Sequence, residues 1–321
     1  MAKIIGVGSY LPNHIMTNED FVKNIETSNE WIIKRTGITQ RHIAKTETTS
    51  ELAFNAATQA IKNANINSKK IDIIVVATTT PDYTFPSVAA ILQNKLNISY
   101  IPVFDIQAVC SGFIYGLEIM YNLISSGKYN IGLLVAAEKI SNLIDWQNRD
   151  TSILFGDGAG AVILQKTSKT SSKNKQYGII DNIIYADGSY YKLLHTTGGV
   201  GTTKTCGSIT MEGRVLFRLS ILKIVEVVNE ICKKNNIKIS EIDYFIPHQA
   251  NIRIINAVAS ELKIEQEKIV ATVSKHANCS AASIPLALKW LMDDKKIKKG
   301  QIMLLAAFGA GLTWGASLIR W

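Results

Sequence analysis

The 321-residue chain has only four cysteines, at 110, 206, 232 and 279, and no two stand in CxxC spacing. Structural disulfides and a thiolate zinc cluster are therefore not expected, and the protein is expected in a reducing, cytoplasmic compartment. The N-terminus lacks the basic, then apolar, then small-residue order of an export signal. No histidine pair has metal-ligand spacing, and His14, His42, His195 and His276 read as surface or packing residues, so no metal is expected. One uncharged run approaches bilayer length, residues 302–319, but Gly309, Gly311 and Gly315 cut it into two short strand-like pieces around a turn, and no membrane span is expected. Aromatic-interleaved basic motifs are also missing, which argues against nucleic acid despite a formal charge of +9. Two glycine-rich stretches lack what a cofactor loop needs. FGDGAGA (155–161) runs into a strand rather than a helix, and HTTGGVGTTKTCG (195–207) lacks a GK[ST] ending, so no nicotinamide or other cofactor is expected. Much of the positive excess lies in 167–176, read as a solvated linker, and in 293–300, read as an exposed helix end. The charge itself favours anionic partners.

What the chain has is a 47% hydrophobic composition, enough for a large core, and an internal repeat. Residues 61–77 resemble 232–248 at an offset of 171, LLVAA (133–137) resembles MLLAA (303–307) at 170, and Cys110-Ser111 matches Cys279-Ser280 at 169. Two equivalent halves follow, 1–167 and 177–321. In the first, β-rich runs at KIIGVGS, IDIIVVATT, IPVFDIQA, NIGLLVAA and GAGAVILQ alternate with helical segments; in the second, GIIDNIIYA, IDYFIPH, KIVATVS, IMLLAAF and WGASLIR do so. Such alternation predicts an α/β protein with mostly parallel sheets. The last two strands of each half are too close in sequence for a crossover helix and should pair antiparallel. Stacking the two sheets gives a five-layer α-β-α-β-α sandwich.

Cys110 lies between an extended run and a helical segment. A helix N-terminus there would favour the thiolate and lower the thiol's pKa. With Cys279 as the counterpart of Cys110 under an approximate twofold, Asn278 is expected opposite Cys110. His248, at the end of the strand IDYFIP, is expected to face the same cavity.

GSYLPN, NEWIIKRTGI, AVCSGFIYGL, ILFGDGAGA, PHQANIRII, ANCSAAS and FGAGLTWG occur in this order along the chain. Together they resemble the thiolase-fold condensing enzymes, and most closely the β-ketoacyl-acyl-carrier-protein synthase III family. The resemblance implies a two-step Claisen condensation that initiates fatty-acid synthesis. Acetyl-CoA or another short acyl-CoA acylates Cys110, and malonyl-acyl-carrier protein then loses CO2 and attacks the acyl-enzyme. His248 and Asn278 would form the oxyanion hole for decarboxylation, and the backbone N–H groups of Cys110 and Ala310 a second one for the acylating thioester. It also implies Trp31 and Arg35, with Arg149 nearby, at the adenine end of CoA and Asn251 at its pantetheine arm. Arg218 and Arg253 would meet the acidic carrier protein, and Phe85 would cross a homodimer interface to close the acyl pocket. Ala277, Cys279 and Ala310 depart from the frequent glycine, threonine and glycine, and Ser260 and Glu261 stand where relatives can carry lysines. Rival functions with the same triad are a starter-unit acyltransferase and an alkylquinolone-type condensing enzyme of secondary metabolism; a non-catalytic carrier-protein scaffold is the rival from another class.

Overall fold

The computed structural model describes residues 1–167, 177–294 and 297–321. Most of the segment read as a linker, and Lys295 and Lys296 of the segment read as a helix end, lie outside the described residues. In chain order the elements begin β1 (Ala2–Tyr10), β2 (Ile15–Thr17), α1 (Asn18–Val22), α2 (Asn29–Thr36), β3 (Gln40–His42), α3 (Thr49–Asn63) and β4 (Ile73–Ala77). Next come α4 (Val88–Lys95), β5 (Val103–Ile106), α5 (Gly112–Ser125), β6 (Ile131–Glu138), α6 (Arg149–Ser152) and β7 (Gly158–Lys166). After these come β8 (Gly178–Ala186), β9 (Leu194–Thr196), β10 (Ile209–Met211), α7 (Gly213–Lys234), β11 (Tyr244–Pro247) and α8 (Ile252–Glu261). The chain closes with α9 (Val273–His276), α10 (Ser283–Asp294), β12 (Ile302–Gly309) and β13 (Thr313–Arg320).

The first sheet has the order β1-β7-β6-β4-β5 and the second β11-β12-β13-β8. In each, the strands with crossover helices pair in parallel and the closely spaced strands pair antiparallel, as β6 with β7 and β12 with β13. The apolar run 302–319 is thus a buried hairpin, and among the described residues no helix is long and apolar enough to cross a membrane.

Strand periodicity builds the layers. Ile73, Val75 and Ala77 face a core shared with Met303, Leu305 and Ala307, while Ile74 and Val76 face a separate outer core. The shared core contains Phe113 and Leu117 of α5 and Leu288 and Leu291 of α10, so these two helices form the middle layer. Helices α3 and α4 cover the outer face of the first sheet, and α7 and α8 that of the second. This gives the expected five layers. Alternate residues on one strand enter different cores because successive side chains leave a strand on opposite faces.

Two sequence expectations are corrected. In the parallel strands the repeat keeps an offset of 171: β4 pairs β6 with Ile73 opposite Gly132, and β11 pairs β12 with Tyr244 opposite Met303. The 3₁₀ turns 109–111 and 280–282 follow the same offset, so the counterpart of Cys110 is Ala281, and the Cys-Ser match at 169 is a coincidence of residue type. The fifth strand expected in the second half, KIVATVS, makes only a single bridge, Ile269 with Phe245. Its next backbone donors are taken by a side chain, since the N–H groups of Thr272 and Val273 donate to Gln249 Oε1 at 2.8 and 3.1 Å. The chain then turns into α9.

Candidate active site

The C-terminal ends of the parallel strands meet at one cavity of about 1010 Å3. Its wall takes Thr79 and Thr80 after β4, Cys110 after β5, and Ala310 after β12, the usual place for a site in a parallel sheet. Cys110 sits in the 3₁₀ turn that leads into α5 and is 6% exposed. The turn enters with Val109 at a φ of 46°. It is tied to the second sheet, because Ser111 Oγ donates to Thr313 O at 2.9 Å and Thr313 Oγ1 to Ala108 O at 3.1 Å. A Cβ on Gly309 would lie 2.9 Å from Cys110 N, so only glycine lets β12 pass this close behind the Cys110 backbone. Ala310, next in the chain, is not among the positive-φ residues, so alanine there carries no backbone strain.

The expected lowering of the Cys110 pKa is not what the site produces. Burial pushes the thiol up to about 12, opposed by the Ser280 hydroxyl and reinforced by the charge of Glu138. Taking the thiolate out of water outweighs what the turn's N–H groups return.

His248 is 5% exposed and ends β11, its N–H donating to Ala306 O at 2.8 Å. Gln249 holds this corner by donating to Pro247 O at 2.7 Å and to Val270 O at 3.1 Å. Burial lowers the His248 pKa to about 4, so the imidazole is neutral at pH 7. Its Nδ1 is buried without a partner. An orphaned buried N–H is rarer than an orphaned acceptor, so we assign the ring proton to Nε2. Asn278 is 6% exposed, and its Oδ1 accepts from Ser280 N at 2.9 Å, which fixes the amide so that Nδ2 faces the other way. Cys110, Ala310 and Ser280 belong to the cavity wall, whereas His248 and Asn278, expected to face it, are not among its lining residues; His248 ends the strand beside β12, and Asn278 is hydrogen-bonded to the lining residue Ser280.

Ala277, before Asn278, adopts φ 57° and ψ −159°, a region used almost only by glycine. The strain there exceeds what burying one methyl group returns, about 1 kcal/mol. Ala277→Gly is therefore expected to raise the unfolding free energy by on the order of 1 kcal/mol, read as a higher denaturant midpoint with an unchanged slope. A lower midpoint would show that the methyl packing dominates.

The residues assigned by resemblance to substrate contacts separate into three places. Two cations lie over the Trp31 ring, Arg35 at 5.3 Å and Arg149 at 4.5 Å from its centroid. Helix α2 presents Trp31 and Arg35 because Ser28 caps its start and Gly37, at φ 75°, ends it. Arg149 also donates to Glu26 O at 2.9 Å. Asn251 caps α8, its Oδ1 accepting from Ile254 N at 3.0 Å. Arg253 stacks 5.2 Å from the Phe217 ring centroid, and with Arg218 it is exposed where α7 and α8 meet, while Ser260 and Glu261 are exposed at the far end of α8. Phe85 is 84% exposed and not part of the cavity wall.

Sequence reasoning missed three contributors. Residues from 195–207, dismissed there as a failed phosphate loop, form part of the cavity wall, including His195, Lys204 and Cys206. Ser280 was read only as part of the Cys-Ser match between the halves. Glu138, the fully buried carboxyl at the end of β6, went unremarked, although one acidic residue closing a wholly apolar strand was a visible signal. Among the described residues no cluster of His, Cys, Asp and Glu has the makings of a metal site.

Two sheets sharing a middle layer of helices, one of them entered through a buried cysteine turn, make this a thiolase-fold acyltransferase. Profiles of 3-oxoacyl-[acyl-carrier-protein (ACP)] synthase III match residues 104–188, and of its C-terminal part residues 232–321. A β-ketoacyl-[acyl-carrier-protein] synthase III of Rickettsia felis is 54% identical over 320 residues, 99% of each chain. The crystal structure of 3-oxoacyl-[acyl-carrier-protein] synthase III from Aquifex aeolicus VF5 superposes with a TM-score of 0.93 at 44% identity, covering 100% of both chains. The priming β-ketosynthase of the R1128 polyketide pathway gives 0.93 at 29% identity, over 100% of this chain and 96% of that one. The chain belongs to the β-ketoacyl-acyl-carrier-protein synthase III family.

Proposed function

We propose that this protein condenses acetyl-CoA, or another short acyl-CoA, with malonyl-acyl-carrier protein through a thioester on Cys110, initiating fatty-acid synthesis. The observation that carries the reading is the cavity with Cys110 in its wall at the joint between the two sheets, in a chain more than half identical to synthases of this name along nearly its whole length. In the first step Cys110 Sγ attacks the acyl thioester, and the backbone N–H groups of Cys110 and Ala310 receive the developing oxyanion. In the second, loss of CO2 from the malonyl group puts charge on its thioester oxygen. Neutral His248 Nε2–H and Asn278 Nδ2–H donate to that oxygen, each being worth on the order of 3 kcal/mol of barrier. A neutral imidazole suits this work, since it donates without inviting protonation of the carbanion.

The two halves, 1–167 and 177–321, divide the labour: the first brings the nucleophile and the second the imidazole and the amide. Trp31, Arg35 and Arg149 would hold the adenine end of CoA by stacking and charge, Asn251 the pantetheine arm, and Arg218 with Arg253 the acidic carrier protein. The exposed Phe85 is consistent with a homodimer in which it closes the partner's acyl pocket. No cofactor is needed for this chemistry, and four free cysteines suit a cytoplasmic setting.

The test is to mix the protein with radiolabelled acetyl-CoA and malonyl-carrier protein. Labelled acetoacetyl-carrier protein with release of CO2 is expected. The likeness to a polyketide priming enzyme favours, as a second reading, the same chemistry with another acyl outcome; label held on Cys110 without condensation would support it. No label at all would leave only a carrier-protein scaffold.

A further inference from the structure

We propose that Glu138, acting through the Ser280 hydroxyl, takes up the Cys110 proton during acylation and so positions the thiol for attack. The proposal rests on the acyl-transfer reading above and adds a positioning residue to it. Glu138 is buried at the end of β6 in a cradle of neutral donors. Thr79 N and Thr80 Oγ1 donate to its Oε2 at 3.0 and 2.9 Å, and Thr79 Oγ1 donates to its Oε1 at 3.0 Å. The same Oε1 accepts from Ser280 Oγ at 3.1 Å. The turn holding Ser280 packs against the turn holding Cys110, both residues line the cavity, and the Ser280 hydroxyl draws the thiol's pKa down, while its backbone N–H is fixed by Asn278. One hydroxyl therefore stands between a thiol and a carboxylate, able to accept from the first while donating to the second.

A buried carboxylate without a cation is costly, and here only neutral donors compensate it. The titratable groups facing it are Cys110, from the turn before α5, and Cys279, from the segment before α10. The adjacent Lys139 turns its Nζ to Glu47 O at 2.9 Å, and Asp157 is engaged with Ser141 and the Ala44 N–H. Burial brings the carboxyl up to about 7, against the hydrogen bonds from Thr79, Thr80 and Ser280. With His248 lowered to about 4, Glu138 is the stronger base of the two.

The step balances without a further reactant. As the Sγ–C bond forms, the Sγ–H proton passes to Ser280 Oγ and the hydroxyl proton of Ser280 passes to Glu138 Oε1. When the tetrahedral adduct collapses, the C–S bond to CoA breaks and the leaving thiolate takes a proton back along the same path. Glu138 is left ionised for the next turnover.

The experiment is single-turnover acylation by labelled acetyl-CoA across neutral pH, with the full-length wild type, Glu138→Gln and Ser280→Ala. Decarboxylation of malonyl-carrier protein is followed in parallel. Wild-type acylation is expected to rise as pH passes upward through about 7, because the carboxylate is the accepting form. Both variants should lose that limb and acylate about 10²-fold more slowly, with decarboxylation reduced far less. If Glu138→Gln fails to fold, Ser280→Ala decides, since it cuts the path and leaves the carboxyl in its threonine cradle. Variants that keep the wild-type limb overturn the relay alone; a wild type that forms no acyl-enzyme overturns the acyl-transfer reading beneath it.

Discussion

Cys110→Ala is expected to abolish condensation and labelling by acetyl-CoA, while the protein still folds and still decarboxylates malonyl-carrier protein. The substitution removes one sulfur from a buried turn whose anchors, the Ser111 and Thr313 hydroxyls, are untouched. Its cost in stability is therefore that of a small cavity, about 1 kcal/mol, and activity, not fold, should be lost. The measurement is a quenched, labelled enzyme assayed beside CO2 release. Label persisting on the variant would mean that another cysteine is the nucleophile, and Cys206, exposed on the wall of the same cavity, would be the first to examine.

His248→Ala and Asn278→Ala should divide the reaction the other way. Each removes a donor to the malonyl oxyanion, so decarboxylation should fall by about 10²- to 10³-fold, whereas acylation, served by backbone N–H groups, should fall much less. His248 should not titrate in the neutral range, because burial keeps its pKa at about 4 and its tautomer constant above that. Measuring acylation by quench and decarboxylation by CO2 release separates the steps. Equal losses in both would contradict the division of labour.

The fold was largely legible. Strands with all-apolar runs such as Ile73–Ala77 and Ile131–Ala137 had no other stable place than a sheet covered on both faces. The internal repeat was legible as a repeat but not in its register. Residue identity paired Cys110 with Cys279, whereas the parallel strands β4 and β6 match β11 and β12 at 171, and the turn beside them places Ala281 there. Hydrogen-bond register is set across strands far apart in sequence, so matching letters in a loop does not report it. The lost strand has a similar cause, for no local pattern announces that Gln249 will satisfy the donors of Thr272 and Val273.

Of the site, Cys110 was legible as a residue of the cavity wall and Trp31 as a neighbour of Arg35 and Arg149. The protonation state of Cys110 was not, because proximity to a helix start is a local property and burial is a global one. Glu138 and Ser280 escaped for the same reason. They lie 142 residues apart, and only the stacking of the two sheets makes them neighbours.

The account turns on a covalent acyl intermediate on one residue. The most direct measurement is to acylate the protein with labelled acetyl-CoA, remove excess substrate, add malonyl-carrier protein, and follow the label by peptide mapping and product analysis. The account predicts that label sits on the Cys110 peptide alone and moves completely into acetoacetyl-carrier protein. Label on any other residue, or label on Cys110 that malonyl-carrier protein cannot release, would contradict it.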